Sequence, residues 1–489
     1  MSFSGILFLL FFLPTTVALY WLVPRRPAAQ NLVLLIASYI FFISWGPKAI
    51  LLFLLATGVN YALLQALRQR DSHGTPVHGK SVRLIGVLYN IGQLLLLKYL
   101  GFFAGTIESL SKIFGSGIDI PALSWILPIG ISFWTLQLTA YLVDVSYGRR
   151  EGPRSLLSFA TFTAFFPQLV SGPIPRGDLL DQMEKPRAPS AEQFSRGGFE
   201  FLLGYVMKFL VAATLTKIVD PVYADPGSYD TFSHWLALLA YAFQIFCDFA
   251  GYSLIALGLA RFFSLQLIEN FRFPFLARNI SEFWSRWHIS LTNILFEYIY
   301  TPLVTGDGFM RGRLAAGLFI VLVVSGLWHG ATWMFVLWGA LHGAALAIAH
   351  RWDEFYRGLC RKDRAWVARR KTRSYLVLGW ILTQGWFLLS LIPFRAQELS
   401  VALPFLSGLL GSGGELSYRF ASLGDALNTS LCLLMVPIYH LSATQRGQAI
   451  VRTLFSAPAV LRGVSYGTVI VYLFLFKPLS EGAFVYAQF

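Results

Sequence analysis

Two histidines, His329 and His342, lie inside a stretch from Leu314 to His350 that contains no Asp, Glu, Lys or Arg and ends on a further histidine. The stretch reads Ser325-Gly-Leu-Trp-His329-Gly-Ala-Thr-Trp333 and then Trp338-Gly-Ala-Leu-His342-Gly343. Ionisable groups at membrane depth are costly and tend to face a cavity or to carry function. Imidazole is also the side chain best suited to accept and return a proton near neutral pH. The alternative is a core histidine bonded to a backbone carbonyl. A third histidine, His288, lies in Asn279-Ile-Ser281-Glu282-Phe-Trp284-Ser-Arg286-Trp287-His288-Ile-Ser-Leu291. Here Trp284, Trp287, His288, Leu291, Leu295 and Tyr298 fall at helical spacing on one stripe. Ser281 is the expected N-cap, with Glu282 in the first turn and able to pair with Arg286 four residues on. An interfacial amphipathic helix accounts for the Trp and Arg residues. It does not account for a histidine on the apolar stripe.

His329 and His342 are thirteen residues apart, about 20 Å along an unbroken helix and on different faces. They can share a neighbourhood only if the chain breaks, and Gly326 and Gly330 flanking His329 make a break plausible. A hairpin then puts His329 at the outer turn and His342 deeper on the returning helix. Asp248, in Gln244-Ile-Phe-Cys-Asp248-Phe-Ala-Gly251-Tyr252-Ser253, places a carboxylate in an apolar span. Taken alone, Asp248 reads as a packing group, and Lys98 as a snorkelling one. No His-Glu-x-x-His run or close His/Asp cluster is present, so no metal site is expected.

The elements that must hold these groups follow from composition. The chain has 489 residues, 56% hydrophobic and only 13% charged, with 43 Phe, 21 Tyr and 14 Trp. A soluble protein carries about 25% charged residues. The fold class is therefore an all-α polytopic membrane protein, with about 11–12 transmembrane helices at about 20 residues each. The apolar runs fall at 5–23, 30–46, 49–67, 84–104, 124–146, 198–218, 234–260, 314–331, 333–350, 375–393, 424–442 and 464–482. The first 24 residues carry no charge, so the start reads as a retained span, Ile6 to Val23, not a cleaved signal. Cys247, Cys360 and Cys432 show no ligand spacing and no disulfide framework. The stretches 155–175 and 262–313 are too polar or Pro-broken to span simply. They are expected to be re-entrant or interfacial, buried in protein or lining a cavity. No internal repeat is evident, and the chain reads as one domain, 1–489, with a basic cytoplasmic loop at 351–374 and C-terminal helices at 375–489.

The net charge of +14 sits in short loops, as the positive-inside rule requires, and does not signal nucleic acid. Arg25 and Arg26, then Arg68, Arg70, Lys80 and Arg83, then Arg149, Arg150 and Arg154 are expected to be cytoplasmic. So is Arg351 to Arg373, where nine Lys/Arg face three acids. Asp220, Asp225 and Asp230 mark the opposite side, and the N-terminus lies outside.

Together, Lys98-Tyr99, Leu127-Pro-Ile-Gly-Ile-Ser-Phe133, Phe166-Pro167 with Ser171-Gly-Pro173, Asp248-Phe-x-Gly251-Tyr-Ser253, Glu282-Phe-Trp-x-Arg-Trp-His-Ile-Ser290 and Gly326-Leu-Trp-His329-Gly330 resemble the membrane-bound O-acyltransferase family. The likeness is strongest to its alginate-type branch of bacterial exopolysaccharide O-acetylation, and covers roughly residues 1–350. The resemblance implies helices around a central funnel, in the bacterial cytoplasmic (inner) membrane. A cytoplasmic thioester donor, acetyl-CoA or an acyl carrier, enters as substrate, and no cofactor is bound. The acyl group leaves toward a polysaccharide hydroxyl, through a periplasmic or extracellular esterase-like partner. It implies His329 as the key catalytic residue and His288 as the second. Asp248, Trp287, Asn293, Trp328, Trp333, Gly339 and His342 are expected to line or support the donor tunnel. Gly251, Gly339 and Gly343 leave room along it, and Trp284, Trp287 and Trp338 line or seal it. The chain departs from the pattern at Ala250 and Leu254, at Leu295-Phe-Glu297-Tyr298, and around Gly306-Asp-Gly308. A D-alanyl donor is the runner-up. A transporter with a His342, His329 and Asp248 proton relay, and a purely structural subunit, are the readings from other classes.

The charge asymmetry makes a topological prediction. In a cysteine-free background, single cysteines at Ser228 and Ala365 are probed on intact cells with an impermeant thiol reagent. Ser228 is expected to label and Ala365 not to; the reverse pattern inverts the orientation and the direction of acyl export.

Overall fold

The structure is a computed structural model describing residues 1–71, 74–115, 128 and 130–476. The starts of the 124–146 run and of the Leu127-Pro-Ile-Gly motif, and the end of the 464–482 run, lie outside the described residues. Among the described residues the chain is helical, with no strands and two isolated bridges. Among the described residues six helices are long and apolar enough to cross a membrane: Ala49–Ala66, Gly79–Ile113, Ala191–Ala224, Thr231–Phe262, Trp333–Lys362 and Arg373–Ala396. Leu423–Leu441 and Gln445–Thr453 form an apolar pair bent by 103° at the break between them, the geometry of a broken span or a re-entrant loop. Shorter apolar helices cover Leu7–Leu22, Pro27–Ile43, Leu314–His329, Leu399–Ser412 and Val460–Leu473. This is a multi-pass membrane protein.

The chain packs as two compact units where the sequence reads as one domain. Each of the helices Ala191–Ala224 and Thr231–Phe262 contributes one part to each unit.

The first unit comprises Met1–Leu202 and Ser253–Glu269. Several of its buried polar side chains bond to one another or to backbone carbonyls. The Asn60 and Asn90 amides exchange two hydrogen bonds of 2.9 Å. Gln30 Nε2 donates to the Arg187 carbonyl at 3.0 Å, and Arg187 Nη2 donates to Asn31 Oδ1 at 2.7 Å. The 155–175 stretch starts as a helix, Leu156–Ala164, capped by Ser155, whose side chain accepts from the Ser158 N–H. It then runs without regular structure past Phe165, Phe166, Leu169, Ser171 and Ile174, all buried. Phe166 N–H is satisfied by Ser38 Oγ at 3.1 Å. Irregular backbone is thus covered by protein, as a low-dielectric setting requires.

The second unit comprises Leu203–Tyr252 and Asn270–Phe489. Its centre is a helical hairpin, Leu314–His329 and Trp333–Lys362, joined by Gly330, Ala331 and Thr332. Three glycines let the two backbones meet. A Cβ on Gly326 would lie 2.2 Å from the Phe335 carbonyl oxygen, one on Gly339 2.4 Å from that of Leu322, and one on Gly343 2.7 Å from that of Phe319. Small residues are the means by which apolar helices approach closely where lipid supplies no hydrophobic drive. The expectation that Gly339 and Gly343 leave room along a tunnel is therefore corrected: that room is filled by the partner helix. Gly251 is likewise occupied, since its Cβ would meet the Gly204 carbonyl oxygen and the Lys208 N–H nitrogen at 2.8 Å.

The 262–313 stretch is not one helix. In the second unit it forms short pieces, Ile280–Trp284, Ile289–Leu295, Phe296–Tyr300 and Thr301–Thr305. The Arg373–Ala396 helix holds it in place: Trp380 Nε1 donates to the Phe275 carbonyl at 2.8 Å, and Gln384 Nε2 to that of Ala277 at 3.0 Å. The N-cap of the first piece is Asn279, whose side chain accepts from Glu282 N–H at 2.8 Å, and not Ser281. The basic stretch is only partly a loop, because the Trp333 helix continues to Lys362 and a further turn spans Ala365–Arg369.

Gly339→Leu is expected to destabilise the fold by about 1–3 kcal/mol through overpacking. Gly385, with nothing within 4 Å of an added Cβ, is the control, and Gly385→Leu should leave the midpoint of thermal unfolding in detergent nearly unchanged. Equal midpoints for the two variants would remove Gly339 from the seam.

Candidate active site

His329 is the last residue of its helix, and Gly330 turns the chain out in an extended conformation. A Cβ on Gly330 would sit 2.1 Å from the Phe335 ring, so only glycine follows the histidine here. The imidazole is buried and walled by aromatic rings. Trp338 stands perpendicular to it with centroids 5.0 Å apart, Trp328 is at 5.1 Å and Phe394 at 5.5 Å.

His288 reaches the same place from the 262–313 stretch. The expected continuous stripe breaks at this residue, whose φ of 43° and ψ of 52° are left-handed. Histidine is among the non-glycine residues that most readily adopt that region. The reversal is held by Ile289 N–H donating to the Asn270 carbonyl and Arg272 N–H to the Arg286 carbonyl, both at 2.9 Å. The break turns the His288 ring edge-to-face with Phe249 at 4.5 Å, near Trp328 at 5.8 Å and 6.4 Å from the His329 ring. Nδ1 lies 3.2 Å from Asn270 Oδ1. Glu282, just upstream, bonds Arg286 Nη2 at 2.8 Å as its spacing predicts, and accepts the Arg278 N–H. Burial works to raise the Glu282 pKa, but these donors and cations outweigh it and hold the carboxyl below its ordinary value.

His342 joins the cluster from the returning helix. Its Nε2 is 2.8 Å from Ser390 Oγ, and its ring is 4.8 Å from Trp338 and 5.2 Å from Trp284. Trp338 thus stands between His329 and His342. Trp287 packs below, against Phe271, Phe283 and Phe387. His329, His288, Trp328, Trp338, His342, Trp284 and Trp287 are therefore one buried constellation in the second unit.

Other candidates lie elsewhere. Asn293 is exposed and Trp333 is 61% exposed, while Gly339 lies in the hairpin seam. Asp248 is ion-paired with Lys208, and its chain neighbour Phe249 packs edge-to-face with the His288 ring. Among the described residues, that pairing favours a packing group over a relay. Sequence reasoning missed Asn270, Ser390 and Phe394. No spacing marks them, because each meets its histidine across a fold of the chain 18, 48 and 65 residues long.

A neutral imidazole enclosed by rings can take a proton from a bound hydroxyl, and a second imidazole 6.4 Å away can orient the molecule that carries that hydroxyl. Acyl transfer to a hydroxyl is one reaction that such a pair can serve.

The comparisons with known proteins point the same way. The profile of MBOAT, the membrane-bound O-acyltransferase family, matches residues 121–391. Probable alginate O-acetylase AlgI of Pseudomonas aeruginosa is 35% identical over 438 residues, covering 88% of this chain and 78% of its own. Peptidoglycan O-acetyltransferase of Helicobacter pylori is 30% identical over 443 residues, 84% of this chain and 80% of its own. Teichoic acid D-alanyltransferase of Bacillus subtilis is 27% identical over 244 residues, 47% of this chain and 62% of its own.

Lys208→Met leaves the buried Asp248 without its cation, and should cost about 3–5 kcal/mol of stability. Adding Asp248→Leu should recover most of it. A single variant as stable as the wild type in thermal unfolding would show that the pair is not a packing element.

Proposed function

The chain belongs to the membrane-bound O-acyltransferase family and is an O-acyltransferase, and from that premise we propose that it O-acetylates a bacterial exopolysaccharide across the cytoplasmic membrane. The N-terminus is outside. The donor is a cytoplasmic thioester, acetyl-CoA or an acyl carrier, and the acceptor is a hydroxyl at the outer face. That hydroxyl belongs to a serine of an extracytoplasmic, esterase-like partner, which hands the acetyl group to the polymer.

The observation that carries this reading is the enclosure of His329 at the hairpin tip, with His288 beside it. A ring nitrogen of His329 takes the hydroxyl proton as the oxygen attacks the thioester carbonyl carbon. The carbon–sulfur bond then breaks, and the departing thiolate recovers the proton from His329. His288 orients the molecule that carries the hydroxyl. The surrounding indoles exclude water, which would otherwise compete as acceptor and hydrolyse the donor. A D-alanyl donor is the second reading, favoured by the likeness to the Bacillus teichoic acid D-alanyltransferase over about half of this chain.

His329→Ala is expected to lower acetyl transfer by about 10²-fold or more, the range of general-base catalysis. His288→Ala should also lower it strongly, and His342→Ala less. Consumption of acetyl thioester by purified protein with its acceptor is the readout. Retention of more than about a tenth of wild-type turnover by His329→Ala would exclude it as the base. Substrate flux without thioester consumption would make the protein a transporter.

A further inference from the structure

We propose that Asn270 is a positioning residue that sets the tautomer of His288, placing the proton on Nδ1 and the lone pair on Nε2. The inference deepens the role given to His288 above and rests on it for its meaning in the reaction.

The backbone N–H of Ser290 can only donate, and it points at the Asn270 side chain at 3.1 Å. The atom it meets is therefore the amide oxygen; the flipped amide would set N–H against N–H. The Ser290 hydroxyl donates to the same oxygen at 2.8 Å. Asn270 Oδ1 is thus an acceptor, and His288 Nδ1, 3.2 Å away, must donate to it. A neutral imidazole protonated at Nδ1 is bare at Nε2.

Three features make this arrangement rigid. Asn270, His288 and Ser290 are 1%, 1% and 3% exposed, so water is not at hand to replace a lost bond. The Ile289 N–H to Asn270 carbonyl bond ties the backbones on either side of the ring. His288 is itself held left-handed, which fixes where its side chain leaves the chain. Free histidine in water prefers its proton on Nε2, so the fold selects the less common form. The selected Nε2 is buried and meets no hydrogen-bond partner among the described residues. A buried acceptor left without a protein donor is costly in a resting protein and open to a donor group of the substrates other than the hydroxyl whose proton His329 takes.

The test reads the tautomer directly. Full-length protein with ¹⁵N-labelled histidine is purified in detergent, and the His288 ring signals are identified by their loss in His288→Ala. The wild type is expected to show Nδ1 protonated and Nε2 bare. Asn270→Asp keeps an acceptor and should preserve both the tautomer and most of the turnover. Asn270→Leu removes it and should populate the Nε2-protonated form. Its kcat should fall at least about tenfold with KM little changed, and it should add nothing in the His288→Ala background. Thermal unfolding of Asn270→Leu separates this from simple loss of fold. Wild-type His288 protonated at Nε2, or an Asn270→Leu protein that keeps both the Nδ1–H form and full kcat, overturns the proposal. Full activity of His288→Ala, with the tautomer as expected, instead overturns the reaction role of His288 and leaves the tautomer assignment standing.

Discussion

Backbone contact along the hairpin seam is the constraint on which the site depends. Gly326 against Phe335, Gly339 against Leu322 and Gly343 against Phe319 leave no space for a single added carbon. In an apolar surrounding, helices gain little by hiding apolar surface from each other, so van der Waals contact at short range must hold them. The seam fixes the register between the two helices, and the register puts Trp338 next to His329. A shift of one residue would turn the indole away and leave the imidazole beside a different ring.

The same economy governs the polar groups. Where the dielectric is low, an unpaired donor or charge is expensive, and a paired one is rigid. In the first unit Asn60 with Asn90, and Gln30 and Asn31 with Arg187, show the principle at neutral and charged side chains. In the second unit Lys208 with Asp248 shows it inside apolar helices. The polar groups around His288 follow it too: Asn270 takes up the Ser290 N–H and hydroxyl and the His288 ring at one oxygen.

The two histidines differ in how the backbone presents them. His329 ends a helix and owes its position to Gly330, which tolerates the Phe335 ring against its α-carbon. His288 stands at a left-handed break and owes its position to pairing with residues 270–272. One arrives from a rigid hairpin and the other from a folded-back loop segment bound to the Arg373–Ala396 helix. A reaction that needs a base and an orienting group at fixed separation gains from supports tied to one another, and the Arg373–Ala396 helix touches both, through Trp380 and Gln384 on one side and Phe394 on the other.

Much of this was legible in the residues. Low charge and 20-residue apolar runs determine a polytopic helical fold, since only helices and closed barrels satisfy their backbone in lipid and the run length is that of a spanning helix. The break after His329 follows from its flanking glycines, and the Glu282–Arg286 pair from helical spacing. The motifs around His288 and His329 mark the family. What the residues alone did not decide is where side chains from distant segments meet. Asn293 and Trp333 look equal to Trp328 and Trp338 in the sequence, yet the first two are exposed while the latter pair is buried against the histidines. The glycines expected to open a path instead close a seam, because an absent side chain reads the same whether the space beside it is empty or filled by another backbone. The N-cap moved from Ser281 to Asn279, and the predicted stripe broke at His288, because pairing with residues 270–272 overrode local helical preference. Asn270 could be found only in the folded chain: a hydrogen bond across 18 residues leaves no period in the sequence.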